Sequence, residues 1–235
     1  MDDDGYVVAR RPTATASTSG SRREDVMNEA AMWSLIHAER ARLAQTLSTL
    51  TPEQWAHSTL CGEWNVQLTT AHVVAGAEQT TGNFLRRFAA SSFRFNVMTS
   101  QDAQRIGTSA PEVLITRLLA TVTTTNHPPA PIAAMLTEVV AHREDICQPL
   151  DISSGVADEA LVATLEFCAN AGFPLGSRKR VAGVALSASD LNWAHGSGPK
   201  VEGPGKLLLL AMLGRRPALT NLSGDGVAEL ASRLG

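Results

Sequence analysis

From residue 25 onward the apolar positions recur at the spacing of packed helices. Met27, Ala31, Leu35, Ile36, Ala41, Leu43, Leu47 and Leu50 follow at near-helical intervals, with Glu39, Arg40 and Arg42 on the remaining face, and predict a first helix to about Leu50. Thr51-Pro-Glu-Gln54 supplies an N-cap, a proline at the first helical position and a Gln three residues on, the signature of a capped turn through Trp55. A long helix is expected from about Val66 to Ala90, with Val66, Val73, Ala77, Phe84 and Phe88 on one face and His72 at its flank. Pro111, with Ser109 as N-cap, opens another through about Val122. Pro128, Pro129 and Pro131 then force a break. Beyond it, Ile132, Met135, Leu136, Val139, Val140, Ile146, Cys147 and Leu150 gather into one apolar arc of a further helix. Four helices joined by loops read as a bundle over residues 25–152.

The texture changes over residues 153–235. Ala157 to Ala171 reads as a helix ended by Gly172 and Pro174, and Arg180 to Ser189 alternates as a strand. Gly196-Ser-Gly-Pro199 is a turn, with a second strand starting at Pro199 to Val201. Helices are expected over Leu207 to Leu213 and Val227 to Leu234, which makes this part a small α/β domain. Its Gly-x-Gly pairs do not lead from a strand into a helix at dinucleotide-binding spacing, so they read as turns. Residues 1–24, rich in Thr, Ser, Arg and Asp without a period, read as a disordered tail, with Met27 an alternative start of translation.

Composition narrows the function classes. The 235 residues are 44% apolar with a net charge of -3, which suits a globular protein and gives no basic surplus for a nucleic-acid backbone. No apolar run approaches the ~20 residues of a membrane span. Met1-Asp-Asp-Asp lacks the layout of a signal peptide, and a cytoplasmic protein is expected. Cys61, Cys147 and Cys168 are odd in number and widely spaced, arguing for buried fillers rather than a disulfide framework or a Cys-rich zinc site.

Candidate chemistry centres on Glu138 and His142. Their i,i+4 spacing puts carboxylate and imidazole over one patch of neighbouring surface. Two readings stay open from spacing alone: a helix-stabilising pair, or two ligands of a metal ion whose third ligand comes from a facing helix. His72 is the best candidate for that third ligand. Two imidazoles and a carboxylate suit zinc and leave a coordination position for water or substrate.

The order and spacing of Leu60-Cys-Gly-Glu-Trp64, Thr70-Ala-His-Val-Val74, Glu138 to Ile146 with Pro149-Leu150, Asp190-Leu-Asn-Trp193, Gly198-Pro199, Gly203-Pro204 and Leu222-Ser-Gly-Asp-Gly226 carry a family likeness. From Asp25 onward the chain resembles the mycothiol-dependent maleylpyruvate isomerase family. The resemblance implies an α+β fold, a DinB-like metal-binding four-helix bundle followed by a small α/β C-terminal domain. It implies the metal ligands His72, Glu138 and His142, zinc or another divalent metal, and the thiol mycothiol as cofactor. The partners implied are that thiol and a small-molecule electrophile, with no nucleic acid and no membrane. A metal-coordinated thiol is deprotonated near neutral pH. The thiolate can add to a conjugated cis alkene and be eliminated after rotation, or can displace a leaving group to give an S-conjugate. The resemblance does not choose between isomerase and S-transferase.

Further residues have two readings each. Arg105 is a candidate for binding a carboxylate of thiol or substrate, or else a solvated loop arginine. Arg143 projects from the apolar arc, paired with a buried acid, reaching the second domain, or snorkelling. Asp145, one turn past His142, is a candidate acceptor for the ligand's second ring N–H, or faces water. His37, His57, His127 and His195 lack partners at ligand spacing. Two rival functions remain, a non-catalytic module binding a metal or small ligand and a hydrolase using zinc-bound water.

Overall fold

The computed structural model describes residues 18–234, with side chains from residue 29 onward. The expected tail therefore falls outside the described residues up to residue 17, and from Thr18 the backbone is already helical. Helix α1 runs Thr18–Ser48. The short α2, Pro52–Ala56, starts as its sequence dictates: Thr51 Oγ1 accepts from Gln54 N and Gln54 Oε1 accepts from Thr51 N.

The expected long helix from Val66 to Ala90 is two helices, α3 (Val66–Ala77) and α4 (Thr81–Ala90). Glu78 leaves the first helix and forms a two-pronged pair with Arg117, at 2.9 and 2.6 Å, while Thr80 starts the second by accepting from Asn83 N. None of the α4 residues is buried. A helix not expected from the sequence, α5 (Phe95–Ile106), packs along α3. The next, α6, spans Pro111–Ala120, and its N-cap is Ala110 rather than Ser109. The Ser109 carbonyl instead accepts from Gln67 Nε2.

Helix α7, Ile132–Cys147, is the axis of the molecule. Its apolar arc implied an opposite face in solvent. From Met135 to Cys147, however, every residue except Glu138 is buried, because α1, α3, α8 (Asp158–Asn170) and α10 (Gly205–Met212) surround it. Helices α1, α3, α6 and α7 form the four-helix bundle, and one apolar core runs from it through α8 into α10. Burial of that core, at ~25 cal/mol per Å², is the main force holding the elements together.

The C-terminal strand begins at Ala185 rather than Arg180, since Ser177–Val181 forms a turn of helix, α9. Strands β1 (Ala185–Ala188), β2 (Ala194–Gly196) and β3 (Lys200–Gly203) pair in the order β2-β1-β3, with β2 antiparallel and β3 parallel to the centre. Strand β2 was not expected. The turn into β3 needs Gly198, whose φ is 125° and where a Cβ would lie 2.1 Å from Gly183 O. A 3-10 stretch, Arg216–Asn221, and α11, Val227–Ser232, complete the fold. No helix among the described residues is long and apolar enough to cross a membrane.

Candidate metal centre

His72 on α3 meets Glu138 and His142 on α7. Glu138 Oε2 lies 3.0 Å from His72 Nε2 and 3.5 Å from His142 Nε2, and the two rings stand edge-on with centroids 4.9 Å apart. One donor atom from each residue fits within a 4.8 Å set. Local sequence sets these positions. Asn65 caps α3 by accepting from Leu68 N at 2.9 Å, which fixes the start of the helix two turns before His72. Trp64 packs on the His72 ring, centroids 5.1 Å apart.

The donor set can be tested against a metal on its own geometry. His142 Nδ1 shares its hydrogen with Asp145 Oδ2 at 3.0 Å. With that nitrogen protonated, Nε2 of a neutral ring turns a lone pair toward the carboxylate oxygen of Glu138, and two acceptors face each other. A proton or a cation must lie between them. Tetrahedral zinc, with bonds of about 2.0–2.1 Å, spaces its ligand atoms about 3.3 Å apart. The distances of 3.0 and 3.5 Å around Glu138 Oε2 bracket that spacing, so the residues fit the ion.

Behind the histidine stands a residue the sequence did not single out. Arg215 donates to both oxygens of Asp145, Nε to Oδ1 at 2.9 Å and Nη2 to Oδ2 at 2.7 Å. Arg215 Nη2 also approaches Cys61 Sγ at 3.6 Å. Burial works against both charges, yet the pair's hydrogen bonds outweigh it, holding Asp145 below the usual carboxylate range and Arg215 above the usual guanidinium range. Burial likewise disfavours a charged His142, but hydrogen bonds with Asp145, Cys61 and Glu138 raise it well above an ordinary histidine. Glu138 is lowered, burial being overcome by the charge of His72 and by hydrogen bonds from both histidines.

Cys61 corrects the expectation of three buried fillers. Cys147 and Cys168 are buried, but Cys61 is only partly so, and its Sγ clusters with His142 and Asp145. The Leu60–Trp64 loop brings it there: Thr59 N donates to Trp64 O at 2.9 Å and closes the loop, and Leu60 N donates to Asp145 O at 3.1 Å.

The remaining candidates are placed elsewhere. Arg143 pairs with buried Glu39 at 3.0 Å and with Thr46 at 3.3 Å, and Glu39 also accepts from Arg42 and from Ala157 N. It ties α7 to α1 and makes no contact with the cluster, so it neither supports the ligands nor snorkels. Arg105 is exposed in the last turn of α5, 3.8 Å from Asp102, and borders a cavity of about 390 Å³ with Glu78, Arg86 and Arg87. That cavity is not the one His72 and Glu138 line. Theirs is about 600 Å³, walled by Phe84, Phe88, Phe95, Phe167 and Phe173 among other residues.

Bundle and appended sheet define the fold class, a helical bundle followed by a small α/β unit. Residues 36–130 match the model of the family described as "Mycothiol maleylpyruvate isomerase N-terminal domain". The match contains His72 and stops before Glu138 and His142. Two solved structures share the fold. The mycothiol-dependent maleylpyruvate isomerase is 12% identical with a TM-score of 0.55, and a histidine-to-alanine mutant of it is 13% identical with a TM-score of 0.54. Each comparison covers 83% of this chain and 92% of the other. No curated protein matches the chain.

Proposed function

We propose that this chain is a metal-dependent enzyme, with zinc the best-suited ion, that uses mycothiol to isomerise or S-conjugate a small electrophile. The observation that carries the reading is the convergence of His72, Glu138 and His142, the first two lining the 600 Å³ cavity, backed by Asp145 and Arg215. His72 Nε2, Glu138 Oε2 and His142 Nε2 would hold the ion. When bound, the ion would lower the pKa of a coordinated thiol and so favour thiolate at neutral pH.

The chain's own groups have separate tasks. Asp145 keeps the proton of His142 on Nδ1 and frees Nε2 for the ion, and Arg215 keeps Asp145 ionised and oriented. Trp64 packs on one side of His72 and limits where its ring can turn. The aromatic walls make the cavity largely apolar, which would reduce the hydration of a thiolate held there.

The test is a calorimetric titration of mycothiol into zinc-loaded and metal-stripped protein. Zinc-dependent binding with proton release is the expected result. Absence of binding in both samples, or turnover of an electrophile without any thiol, would overturn the reading, the latter in favour of a hydrolase.

A further inference from the structure

The cavity beside the donor cluster is selective in charge as well as in size. At about 600 Å³ it lies within the range of ~300–1,000 Å³ that takes small molecules. Among the described residues its charged lining is Glu138 and Asp102, with no Lys or Arg. Asp102 is already engaged by Arg87, and Arg105 stands 3.8 Å away. Those guanidiniums border the smaller neighbouring cavity, so the local cations lie on its far side. The walls are otherwise largely apolar. Phe84 stacks on Phe88 with centroids 5.5 Å apart and an interplanar angle of 24°, and Phe95 meets Phe173 edge-on at 6.4 Å.

We propose that the electrophile taken here is uncharged and apolar, of aromatic size, and carries no carboxylate of the kind maleylpyruvate has. The proposal rests on the thiol-dependent reading for the reactive end of the cavity and on the walls for the rest. A carboxylate among the aromatic walls would lose its water without gaining a cationic side chain, and the charge of an ion at the reactive end would already be met by Glu138 and the thiolate. An aromatic ring would instead meet ring faces and edges spaced for offset or edge-on contact. The neutral polar groups of Gln79, Thr99 and Asn170 can still serve a nitro, carbonyl or hydroxyl substituent.

Chlorodinitrobenzene and its carboxylate-bearing analogue chlorodinitrobenzoate test this. In both, S–C forms as C–Cl breaks, chloride leaves with the electron pair, and the thiol proton goes to solvent. With zinc-loaded full-length protein and mycothiol, kcat/KM over the uncatalysed rate should favour the neutral compound by about a hundredfold or more. Phe88→Arg, on a helix with no buried residue, should raise the rate with the carboxylate by about tenfold without changing metal content. Binding is read independently by tryptophan quenching with nitrobenzene and nitrobenzoate. Nitrobenzene should bind at least about tenfold more tightly. Preference for the carboxylate in turnover or binding, or no binding of either compound, would overturn the assignment. Selective nitrobenzene binding without thiol-dependent turnover would uphold the cavity's preference and remove the thiol reading instead.

Discussion

Arg215 and Asp145 are joined by two hydrogen bonds, 2.9 and 2.7 Å, across 70 residues of sequence, and the same Asp145 receives the ring proton of His142. A guanidinium fork thus sets the tautomer of a candidate ligand from the opposite end of the chain. Groups in this position typically change metal affinity by about 10–100-fold when removed. Arg215→Leu and Asp145→Asn should each weaken zinc binding on that scale in competition with a chromogenic chelator, with helical content unchanged. Arg215→Lys should recover only part of the loss, because an ammonium cannot hold both oxygens in the same fork. Unaltered affinity in all three variants would separate the relay from the metal.

Protons and metal should compete for the same gap. The folded value of His142 is raised above its ordinary 6.5, so its contribution to the stability of metal-stripped protein is complete below 6.5. That contribution is lost as pH rises through the higher folded value. Glu138 and Asp145 are lowered, so theirs is present above the ordinary carboxylate range and lost as pH falls through their folded values. Urea titrations should therefore show the metal-stripped protein losing stability on the alkaline side, with His142→Gln flattening that slope. Zinc binding near neutral pH should release about one proton in calorimetry across buffers of different ionisation enthalpy. His72→Ala or His142→Ala should lose stoichiometric metal while keeping the fold.

The three cysteines should separate by reactivity. Burial pushes Cys147 up to about 11 and Cys168 up to about 12, and both are enclosed. Cys61 is the partly accessible one, beside Arg215. A chromogenic disulfide reagent at mildly alkaline pH should titrate Cys61 alone in native protein and all three after denaturation. Zinc or mycothiol should slow the native reaction if the cofactor occupies the space next to His142. Labelling of Cys168 at a comparable rate would contradict the packing of α8.

Arg143 and Glu39 carry the largest expected stability effect. Both are buried, and Glu39 also holds Arg42 and the amide of Ala157, so the pair fixes α1, α7 and the start of α8 together. Removing Glu39 leaves the buried Arg143 charge without its acid, a loss of about 3–5 kcal/mol. Glu39→Leu should lower urea stability by that amount, and Arg143→Met by less, because Glu39 keeps Arg42 and the Ala157 amide. The double variant should recover part of the Glu39→Leu loss. Additive losses would indicate that the two side chains do not act as a pair.

The sequence brought out His72, Glu138 and His142, which the fold places together, because two of them share a helix face and the third sits in a strongly apolar helix. It carried Thr51 because capping chemistry is local. It missed the break at Glu78, where a pairing with Arg117 competes with helix continuation, since that partner is 39 residues away. It missed α5, whose Phe, Asn, Val, Thr and Ser residues are weak helix formers and which gains its stability by packing on α3. The helical pattern makes Arg143 project from the apolar arc and does not single out Glu144, yet Arg143, Glu144 and Asp145 are each buried against a different partner. For Arg215 no local signal exists; an arginine after Gly214 becomes meaningful only once the turn following α10 is folded back onto α7. Cys61 had a hint in its place inside the Leu60–Trp64 motif, but a spacing argument has no way to bring that loop beside His142.

The reach of Arg215 also orders events during synthesis. A nascent chain that has grown through α7 already contains His72, Glu138 and His142, but the guanidinium that locks Asp145 is still 70 residues from being made. At ~5–20 residues per second that interval is roughly 4–14 s. On the proposed metal reading, the three donors could exchange an ion during it that the finished chain would grip more firmly, and the last part of the chain would act as a latch closed after the centre had been filled.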